Sequence, residues 1–429
     1  MSKNNLTDLS LGLFIFLKHM ASVPHSYISA ALFDLKQDII ADIPRGIIEH
    51  WLSSGQTRED ALAILEPFKV NGYILSSDTS GLSKLSGQKR LIEVLTLVSH
   101  PKEIVYAHGT ALGGRAMGVW AADNTQMFFE KDTDASKLVE MSLKILDDIA
   151  RLCEVKIGIG LHYGTYYELG GGLYGADADF VENFTEELVK GGELWVSEVM
   201  KERAGSGFTF EQIEGESLYR TSGSSINASN VSFNVEYPLP FSREFYNDLR
   251  QLRGREDYDQ YLAELESRYL RDACVVLAER GRLAESYEGE VSLLGDLSLC
   301  AVMENDAEEL LKTHNGEEIK TVGPLGIYIF DSTSDGIAFA LDFRKVLASK
   351  SLPCRIGVDR GSVLVCTLPH GTKDIAGEPV NIASKLAQDK GVFGSVYVSD
   401  NCKYALPQGT QCTELEVAVS GITIKALEL

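Results

Sequence analysis

The side chains best suited to a polyanionic ligand lie in one segment, residues 373–386, which reads KDIAGEPVNIASKL. Asp374 stands before Gly377, and Asn381 and Lys385 follow at a spacing of four. Positions four apart on an α-helix share a face, so the amide and the ammonium group are predicted to point at one ligand. The upstream carboxylate can read a base edge, while the amide and the cation hold sugar and phosphate. The segment therefore predicts a nucleotide site.

The same segment resembles the D-I-x-G-x-x-V-N-x-A-x-R-L motif of class III nucleotidyl cyclases, the family of adenylate and guanylate cyclases. Three flanking stretches resemble other parts of that family and occur in its order. They are IKTVG at 319–323, RIGVDRG at 355–361 and GSVYVSD at 394–400. Four blocks in the right order are a far more specific signal than any one of them.

A weaker set of similar blocks precedes the first. SSDTSGLSKLS at 76–86 resembles the family's first strand and turn, and places Asp78 on the aspartate that binds metal ions there. The stretch LYGADADFVENFTEEL at 173–188 takes the place of the central motif. Adding 202 to Gly175 and Asp179 gives Gly377 and Asn381. This constant offset indicates an internal repeat and a duplicated domain.

The resemblance implies an α+β fold, with two ferredoxin-like cyclase homology domains that pair head to tail as an intramolecular pseudo-dimer. The chain of 429 residues is long enough for this arrangement. We expect an N-terminal helical segment over 1–69, a first domain over 70–205, a connector with end strands and a bridging helix over 206–286, and a second domain over 287–429. In the second copy the first strand is expected at 290–296, followed by a shortened helix. The tandem arrangement favours a monomer.

The resemblance also assigns roles in nucleotide binding. Lys320 and Asp374 fall on the base-reading positions, and a lysine with an aspartate resembles the pair that recognises adenine. Asn381 would orient the ribose. Lys385 stands where the family has an arginine near the phosphates, and it lacks the planar fork of that side chain.

The metal positions are only partly kept. The family holds two Mg or Mn ions with two aspartates, and here Asp78 and, more weakly, Asp296 align with the first of them. Gly114 and Pro324 stand where the second aspartate belongs. The two-metal site is therefore predicted to be incomplete.

A mirror site would pair Asp296 with Thr110, Gly172, Asp179 and Asn183. This set has no cation and no base-reading pair. We expect it to be catalytically dead, or at most an allosteric pocket.

The composition of the chain limits its possible partners and its cellular location. The formal net charge of −22 argues against non-specific binding to nucleic acid or to an anionic membrane. Seven cysteines without C-x-x-C spacing indicate reduced thiols in a cytoplasmic protein. The apolar stretch LSLGLFIFL is far shorter than the roughly 20 residues of a membrane span, so a buried helix is expected. The N-terminal helices are a candidate docking site for a protein regulator.

Two functions follow, and the sequence leaves both open. The first is an adenylate cyclase that converts ATP to 3′,5′-cyclic AMP and pyrophosphate at one composite inter-domain site, in cyclic-nucleotide signalling. The second is a pseudocyclase that binds a nucleotide or a protein partner as a regulatory module. A third reading, an unrelated α/β protein with chance matches, would be overturned by two ferredoxin-like units.

Overall fold

A computed structural model describes residues 39–40, 43–82, 85, 88–118, 120, 124–222, 242–281, 289–367, 373–389, 391–419 and 422–429. The predicted helix through Leu9–Met20 and the turn-rich stretch 222–230, apart from Ser222, lie outside these residues.

Two similar eight-stranded sheets organise the described chain. The first has the strand order β4-β5-β3-β6-β8-β10-β9, with β7 paired to β6, and the second has the order β12-β13-β11-β14-β16-β18-β17, with β15 paired to β14. The strands of the first sheet are β3 (Lys69–Thr79), β4 (Arg115–Ala116), β5 (Thr125–Glu130), β6 (Ile157–Leu169), β7 (Gly172–Tyr174), β8 (Leu194–Ser197), β9 (Thr209–Gln212) and β10 (Leu218–Ser222). Those of the second are β11 (Leu270–Arg280), β12 (Gly316–Val322), β13 (Leu325–Phe330), β14 (Cys354–Thr367), β15 (Lys373–Ala376), β16 (Val396–Ser399), β17 (Thr413–Val419) and β18 (Ile422–Glu428).

Helices connect these strands in the same order in both copies. They are α1 (Arg45–Ser53), α2 (Arg58–Leu65), α3 (Leu91–Ala111), α4 (Ala135–Leu152), α5 (Ala176–Glu187), α6 (Glu198–Ala204), α7 (Arg243–Leu252), α8 (Tyr258–Tyr269), α9 (Glu290–His314), α10 (Thr333–Ser349) and α11 (Glu378–Ser384). A π-helical turn over Lys385–Asp389 continues α11. Three short 3₁₀ turns lie at Glu66–Phe68, Gly205–Gly207 and Asp400–Ala405, and a two-residue pair, β1 (Ile39–Ile40) with β2 (Ile43–Pro44), precedes α1.

The topology confirms the predicted α+β class with two ferredoxin-like sheets. In the first copy β4, β5, β3 and β6 are neighbours and antiparallel, and a helix follows the first and the third of these strands in chain order. Neither sheet is purely antiparallel, because β8 joins β6 in parallel and β16 joins β14 in parallel. Each parallel pair is connected through the helix that carries the central motif, which is the connection that parallel strands require.

The described residues form two compact units. The first unit comprises the described residues of Leu62–Leu270 and Leu364–Ala376, and the second comprises the described residues up to Ala61 and those of Arg271–Val363 and Gly377–Leu429. Strand β14 therefore begins in the second unit, and its last four residues belong to the first. How the two units pair stays a prediction.

The connector contains two helices where one bridging helix was predicted. The chain leaves the helical conformation between α7 and α8, where Gly254 adopts a positive φ of 75°. Asp248 on α7 ties the two helices together, because its carboxylate accepts hydrogen bonds from Tyr261 and Tyr269 and a charged one from Arg268. The apolar faces pack with α3 and with the end of the β14–β15 hairpin. This cluster contains Ile92, Leu95, Phe245, Leu249, Leu252, Tyr261, Leu262, Leu265, Leu364 and Cys366.

The second copy begins earlier than the sequence predicted. Its first strand is β11, which lies between β13 and β14 as β3 lies between β5 and β6. The predicted boundary at 287 is therefore wrong, and Asp296 lies inside helix α9. That helix has 25 residues against 21 in α3, so it is not shortened as predicted. The prediction failed because it located the strand from one acidic residue, Asp296, and not from the apolar residues of β11 before it.

Arg280 is the residue that corresponds to Asp78. Ser77 lies opposite Thr125, the first residue of β5, and Glu279 lies opposite Leu325, the first residue of β13. The next residue in each strand is Asp78 in one copy and Arg280 in the other.

The Arg280 side chain is fully buried in a set of oxygen atoms. One guanidinium nitrogen donates to the Asp296 carboxylate at 2.9 Å and to the Gly281 carbonyl at 3.0 Å. Another donates to the Asp296 carbonyl at 2.7 Å and to the Gly323 carbonyl at 3.3 Å. The second copy thus holds a permanent cation where the resemblance led us to expect a metal-binding carboxylate, and Asp296 is its ion-pair partner.

A buried polar pair recurs at one place in both copies. His162 on β6 contacts the Ser197 hydroxyl at 2.8 Å, and the hydroxyl caps helix α6. The equivalent residue of β14 is Asp359, which accepts hydrogen bonds from Ser399 and from Asn401. His162 is buried.

The Arg280 ion pair gives a first prediction. Arg280→Met leaves Asp296 and two carbonyl groups without their donor, and we expect it to lower the free energy of unfolding by about 3 kcal/mol. Arg271→Met is the matched control, since Arg271 lies on the same strand and pairs with Glu317 at the surface. It should cost less than about 1 kcal/mol. Urea unfolding followed by circular dichroism measures both, and equal losses would contradict the buried role.

The pair at Asp359 gives a prediction about pH. Burial raises the pKa of the Asp359 carboxyl, although the hydrogen bonds from Ser399 and Asn401 oppose this shift. A raised pKa in the folded state means that stability is lost as pH rises through it. Asp359→Asn should therefore raise the melting temperature at pH 7, and the gain should vanish below about pH 3.9, the ordinary pKa of aspartate.

The control for this prediction has the opposite sign. A hydrogen bond from His162 lowers the pKa of Asp177, and the backbone N–H of Thr165 adds to this effect. Its contribution to stability is present above the unfolded pKa and is lost as pH falls through the folded one. Asp177→Asn should therefore lower the melting temperature at pH 7. A destabilised Asp359→Asn variant at pH 7 would overturn the assignment.

Candidate functional site

Asp78 is the penultimate residue of β3 and is half-buried at the end of that strand. It lies opposite Gly158 of β6, and the preceding Ser77 hydroxyl is hydrogen-bonded to that of Thr125 at 2.6 Å. Pairing with both neighbouring strands therefore fixes the position of the Asp78 side chain on the sheet. The predicted metal residue lies at a strand end, as the motif required, and its metal binding stays a prediction.

Gly114, which the sequence aligned with the second metal-binding aspartate, lies directly before β4. A Cβ built on Gly114 would overlap three atoms of the Phe129 ring, which is fully buried. Phe129 lies opposite Tyr73, whereas Ser77, the neighbour of Asp78, lies opposite Thr125. Four residue positions of β5 therefore separate Gly114 from the Asp78 end of β3, and Gly114 does not lie beside Asp78 as the alignment with the motif required.

Lys320 lies on β12 next to an irregularity. Glu318 is opposite Tyr328 and Lys320 is opposite Ile327, so Ile319 is an extra residue, a β-bulge. Opposite residues share a face of the sheet. The Thr321 hydroxyl donates to the Glu318 carboxylate at 2.8 Å, which places these two on one face.

This bulge decides the direction of Lys320. Tyr328 packs against Phe339 and Phe343 of α10, with ring centroids 4.9 and 5.5 Å away. Glu318 and Thr321 share the face of Tyr328, whereas Lys320 shares the face of Ile327. The lysine therefore belongs to the sheet face that α10 does not cover.

Asp374 lies on β15, opposite Cys366 of β14, and only 4% of it is exposed. One carboxylate oxygen accepts the backbone N–H of Ile375 at 2.8 Å, which fixes the orientation of the group. Although Asp374 belongs to the second copy in sequence, it lies in the first compact unit together with Asp78. Lys320, Asn381 and Lys385 lie in the second unit.

Asn381 and Lys385 lie on successive turns of one helix, as their spacing predicted. The backbone N–H of Lys385 donates to the carbonyl of Asn381. The Asn381 side chain is exposed, and that of Lys385 is half-buried. Lys385 is also the first residue of the π-helical turn, which the sequence did not predict.

The proposed mirror set is spread over the first unit. Thr110 lies in α3 and its hydroxyl donates back to the Tyr106 carbonyl at 2.7 Å, which is a helix-internal contact. Gly172 begins β7, and Asp179 and Asn183 lie on the exposed face of α5. Asp296, its fifth member, is the ion-pair partner of Arg280 in the second unit.

Two charged residues near the site were missed by the sequence reading. They are Arg280 and Glu279, the last residues of β11, and Glu279 is buried and paired with Arg355 at 2.8 Å. The apolar run ACVVLA before them was the available signal for a central strand. The Glu-Arg pair that follows made this signal hard to recognise, because two consecutive charged residues are typical of a surface loop.

The described residues do not fit a two-metal centre. Within them no group of three or more histidine, cysteine, aspartate or glutamate side chains is placed to hold a metal ion. Asp78 supplies one carboxylate, Gly114 supplies none, and Arg280 replaces the carboxylate of the second copy. The described part of the chain also contains no helix with the length and apolar character of a membrane span.

The packing at Gly114 gives a stability prediction. Gly114→Ala should lower the free energy of unfolding by about 1–3 kcal/mol, because the new methyl group displaces the Phe129 ring. Gly207→Ala is the control, since a Cβ there meets open space. It should change stability by no more than about 0.5 kcal/mol. Thermal melts compare the two variants, and a neutral Gly114→Ala would show that the Phe129 ring can move aside without cost.

The chain matches no protein-family model and no curated protein. Its fold is similar to solved structures. A class III adenylyl cyclase-like ATP-binding protein from Pseudomonas aeruginosa is 10% identical, with 95% of each chain covered and a TM-score of 0.49. The adenylyl cyclase CyaB from P. aeruginosa is 20% identical over 37% of this chain and 93% of its own, with a TM-score of 0.32.

A third similar structure is the guanylate cyclase domain of RhGC from Catenaria anguillulae in complex with GTP. It is 16% identical over 37% of this chain and 94% of its own, with a TM-score of 0.31.

Proposed function

We propose that this chain is a cyclase homologue that binds a nucleoside triphosphate, ATP by its base-reading residues, and acts as a regulatory module with little or no cyclase activity. The incomplete set of carboxylates carries this proposal. Two-metal phosphoryl transfer needs a carboxylate framework that holds both ions. Asp78 is one such carboxylate, and within the described residues no group of three or more histidine, cysteine, aspartate or glutamate side chains is placed to hold a metal ion.

Nucleotide binding does not need that framework. The chain is strongly acidic, so an anionic ligand depends on local cations, and Lys320 and Lys385 supply them at the positions that the resemblance assigns to base and phosphate. The bulge turns Lys320 to the sheet face that α10 leaves uncovered. Asp374 is held in one orientation by the Ile375 N–H.

These residues favour adenine over guanine. A carboxylate accepts a hydrogen bond from the exocyclic amine of adenine, and a lysine donates to a ring nitrogen. Guanine presents a carbonyl oxygen at the position of that amine, and this oxygen would repel the Asp374 carboxylate. A divalent cation would then arrive as the chelate of the triphosphate, without a two-carboxylate site in the protein.

The second candidate function is an adenylate cyclase, which forms 3′,5′-cyclic AMP when the ribose 3′-hydroxyl attacks the α-phosphorus and pyrophosphate leaves. Asp78 favours the cyclase, because it is an aspartate at the end of β3, where the resemblance assigns the first metal-binding residue. The position that the resemblance assigns to the second metal-binding residue is not an aspartate in either copy. Asn381 and Lys385 would orient the ribose and hold the phosphates in either case.

Calorimetric titration with ATP, GTP, CTP and UTP, each with Mg or Mn, separates the candidates when pyrophosphate and cyclic product are measured in parallel. We expect ATP to bind without release of pyrophosphate. Lys320→Ala should weaken ATP binding about tenfold or more, because a charged hydrogen bond is lost. Lys312→Ala is the charge-matched control, since Lys312 pairs with Glu308 and Glu309 on the surface of α9, and it should leave affinity unchanged.

Each alternative has its own outcome. Cyclic AMP that disappears in both Asp78→Ala and Lys320→Ala would establish the adenylate cyclase. Product from another nucleotide would contradict the adenine assignment. Absence of both product and binding would leave a scaffold and overturn the proposal.

A further inference from the structure

The helix that carries Lys385 differs between the two copies. In the first copy, α5 is α-helical over all of its 12 residues, Ala176–Glu187. The equivalent stretch is α-helical over Glu378–Ser384 and π-helical over Lys385–Asp389. Both stretches have the same length, and the offset of 202 continues through the next strand. The π turn is therefore not the result of an inserted residue, and the packing around it must explain it.

The residue beneath the turn is the first difference. In the first copy it is Val189, whose side chain is buried with Phe184 and Trp195. The equivalent residue is Gly391, and a Cβ there would overlap the carbonyl oxygens of Ala387 and Leu386. Both carbonyls belong to the π turn. Only a residue without a side chain fits against this wider turn.

The facing strand residue is the second difference, and it is complementary. Gly158 of β6 leaves room for Val189, since a Cβ at Gly158 would lie 2.9 Å from a Val189 methyl group. The equivalent residue of β14 is Arg355, which donates to the Gly391 carbonyl at 3.0 Å. The first copy pairs a small strand residue, Gly158, with a large residue after the helix, Val189. The second copy pairs a large strand residue, Arg355, with a small one, Gly391.

Arg355 is itself held in place. Its Nε and one terminal nitrogen donate to the same oxygen of Glu279, at 3.0 and 2.8 Å, and both side chains are largely buried. The first copy has Ser77 at the place of Glu279. The second copy thus has three linked residues, Glu279, Arg355 and Gly391, that the first copy lacks.

Lys385 stands where the α-helix passes into the π turn. A π turn bonds each carbonyl to the fifth residue onward and turns through a smaller angle per residue, so it changes the direction of the side chains it contains. Leu386 and Ala387 anchor the turn in the core, and the Ser384 hydroxyl donates to Gln388 at 2.5 Å across it. The first copy has Asn183 at this position and a regular helix.

We propose that Gly391 and Arg355 are positioning residues, which hold the π turn and thereby aim the Lys385 ammonium group at the phosphates of the bound nucleotide. This inference rests on the proposed function. It assigns phosphate recognition to Lys385 through backbone geometry, which offsets the loss of an arginine fork at this position.

Titrations with ATP and with adenosine test the proposal. Gly391→Val, which introduces the first-copy residue, and Lys385→Ala should each weaken ATP binding about tenfold. The double variant should bind ATP no more weakly than Lys385→Ala alone, because both changes remove one interaction. Adenosine has no phosphates, so its affinity should stay unchanged in all three variants. A general loss of structure would weaken both ligands.

Two further variants complete the design. Val392→Ala is the matched control, because Val392 is the next residue and its side chain is 63% exposed, and ATP affinity should be unchanged. The triple variant Glu279→Ser, Arg355→Gly and Gly391→Val restores all three first-copy residues. It should fold with a regular helix if Gly391→Val alone does not fold, and it should show the same selective loss of ATP binding.

The outcomes distinguish failure of the positioning role from failure of the proposed nucleotide binding. If the wild-type chain binds neither ATP nor adenosine, both proposals fail. If it binds ATP and Lys385→Ala weakens binding, but the Gly391→Val and triple variants bind as the wild type does, only the positioning role fails. Losses that add in the double variant would also overturn it.

Discussion

Pairing of the central strand along both of its edges is the interaction on which each sheet depends. In the first copy β3 is opposite β6 along all 11 of its residues and is also bonded to β5. In the second, β11 lies between β13 and β14. A strand bonded on both edges cannot shift its register without breaking two ladders, so the residue at its end has a fixed place. That residue is Asp78 in the first copy and Arg280 in the second.

The two copies have diverged through coupled substitutions. A buried guanidinium needs oxygen partners, and Asp296 supplies both its carboxylate and its backbone carbonyl to Arg280. A histidine at one buried position and an aspartate at its equivalent each keep a serine partner. Interiors are packed too densely for one residue to change alone, so each replacement required another nearby. A duplicated domain can lose a chemical role in this way and still keep its fold.

Much of the second copy was predictable because its signals are local. Asn381 and Lys385 share a helix as their spacing required, and Asp374 lies on a strand before it. The fold class followed from the order of the motif blocks. Boundaries were less predictable: β11 was taken for connector, since its Glu-Arg end masks an apolar run.

The remaining errors concern properties that no local pattern encodes. The face of Lys320 depends on a bulge that is defined only by the partner strand. The place of Gly114 depends on the register of β5, which puts Phe129 opposite Tyr73 and not near Asp78. The compact unit to which Asp374 belongs depends on packing against α3 and the connector helices. These are long-range contacts, and a periodicity argument does not reach them.

The division of β14 between the two units has a consequence for the evolution and dissection of the chain. Leu364 and Cys366 complete an apolar cluster whose other members come from residues 92–265, while the strand that carries them begins in the other unit. No single cut along the sequence therefore separates two self-sufficient halves. A truncated first half would expose part of its own core, and a truncated second half would carry an apolar hairpin without its cover. Selection must then preserve or discard the duplicated pair as one heritable unit.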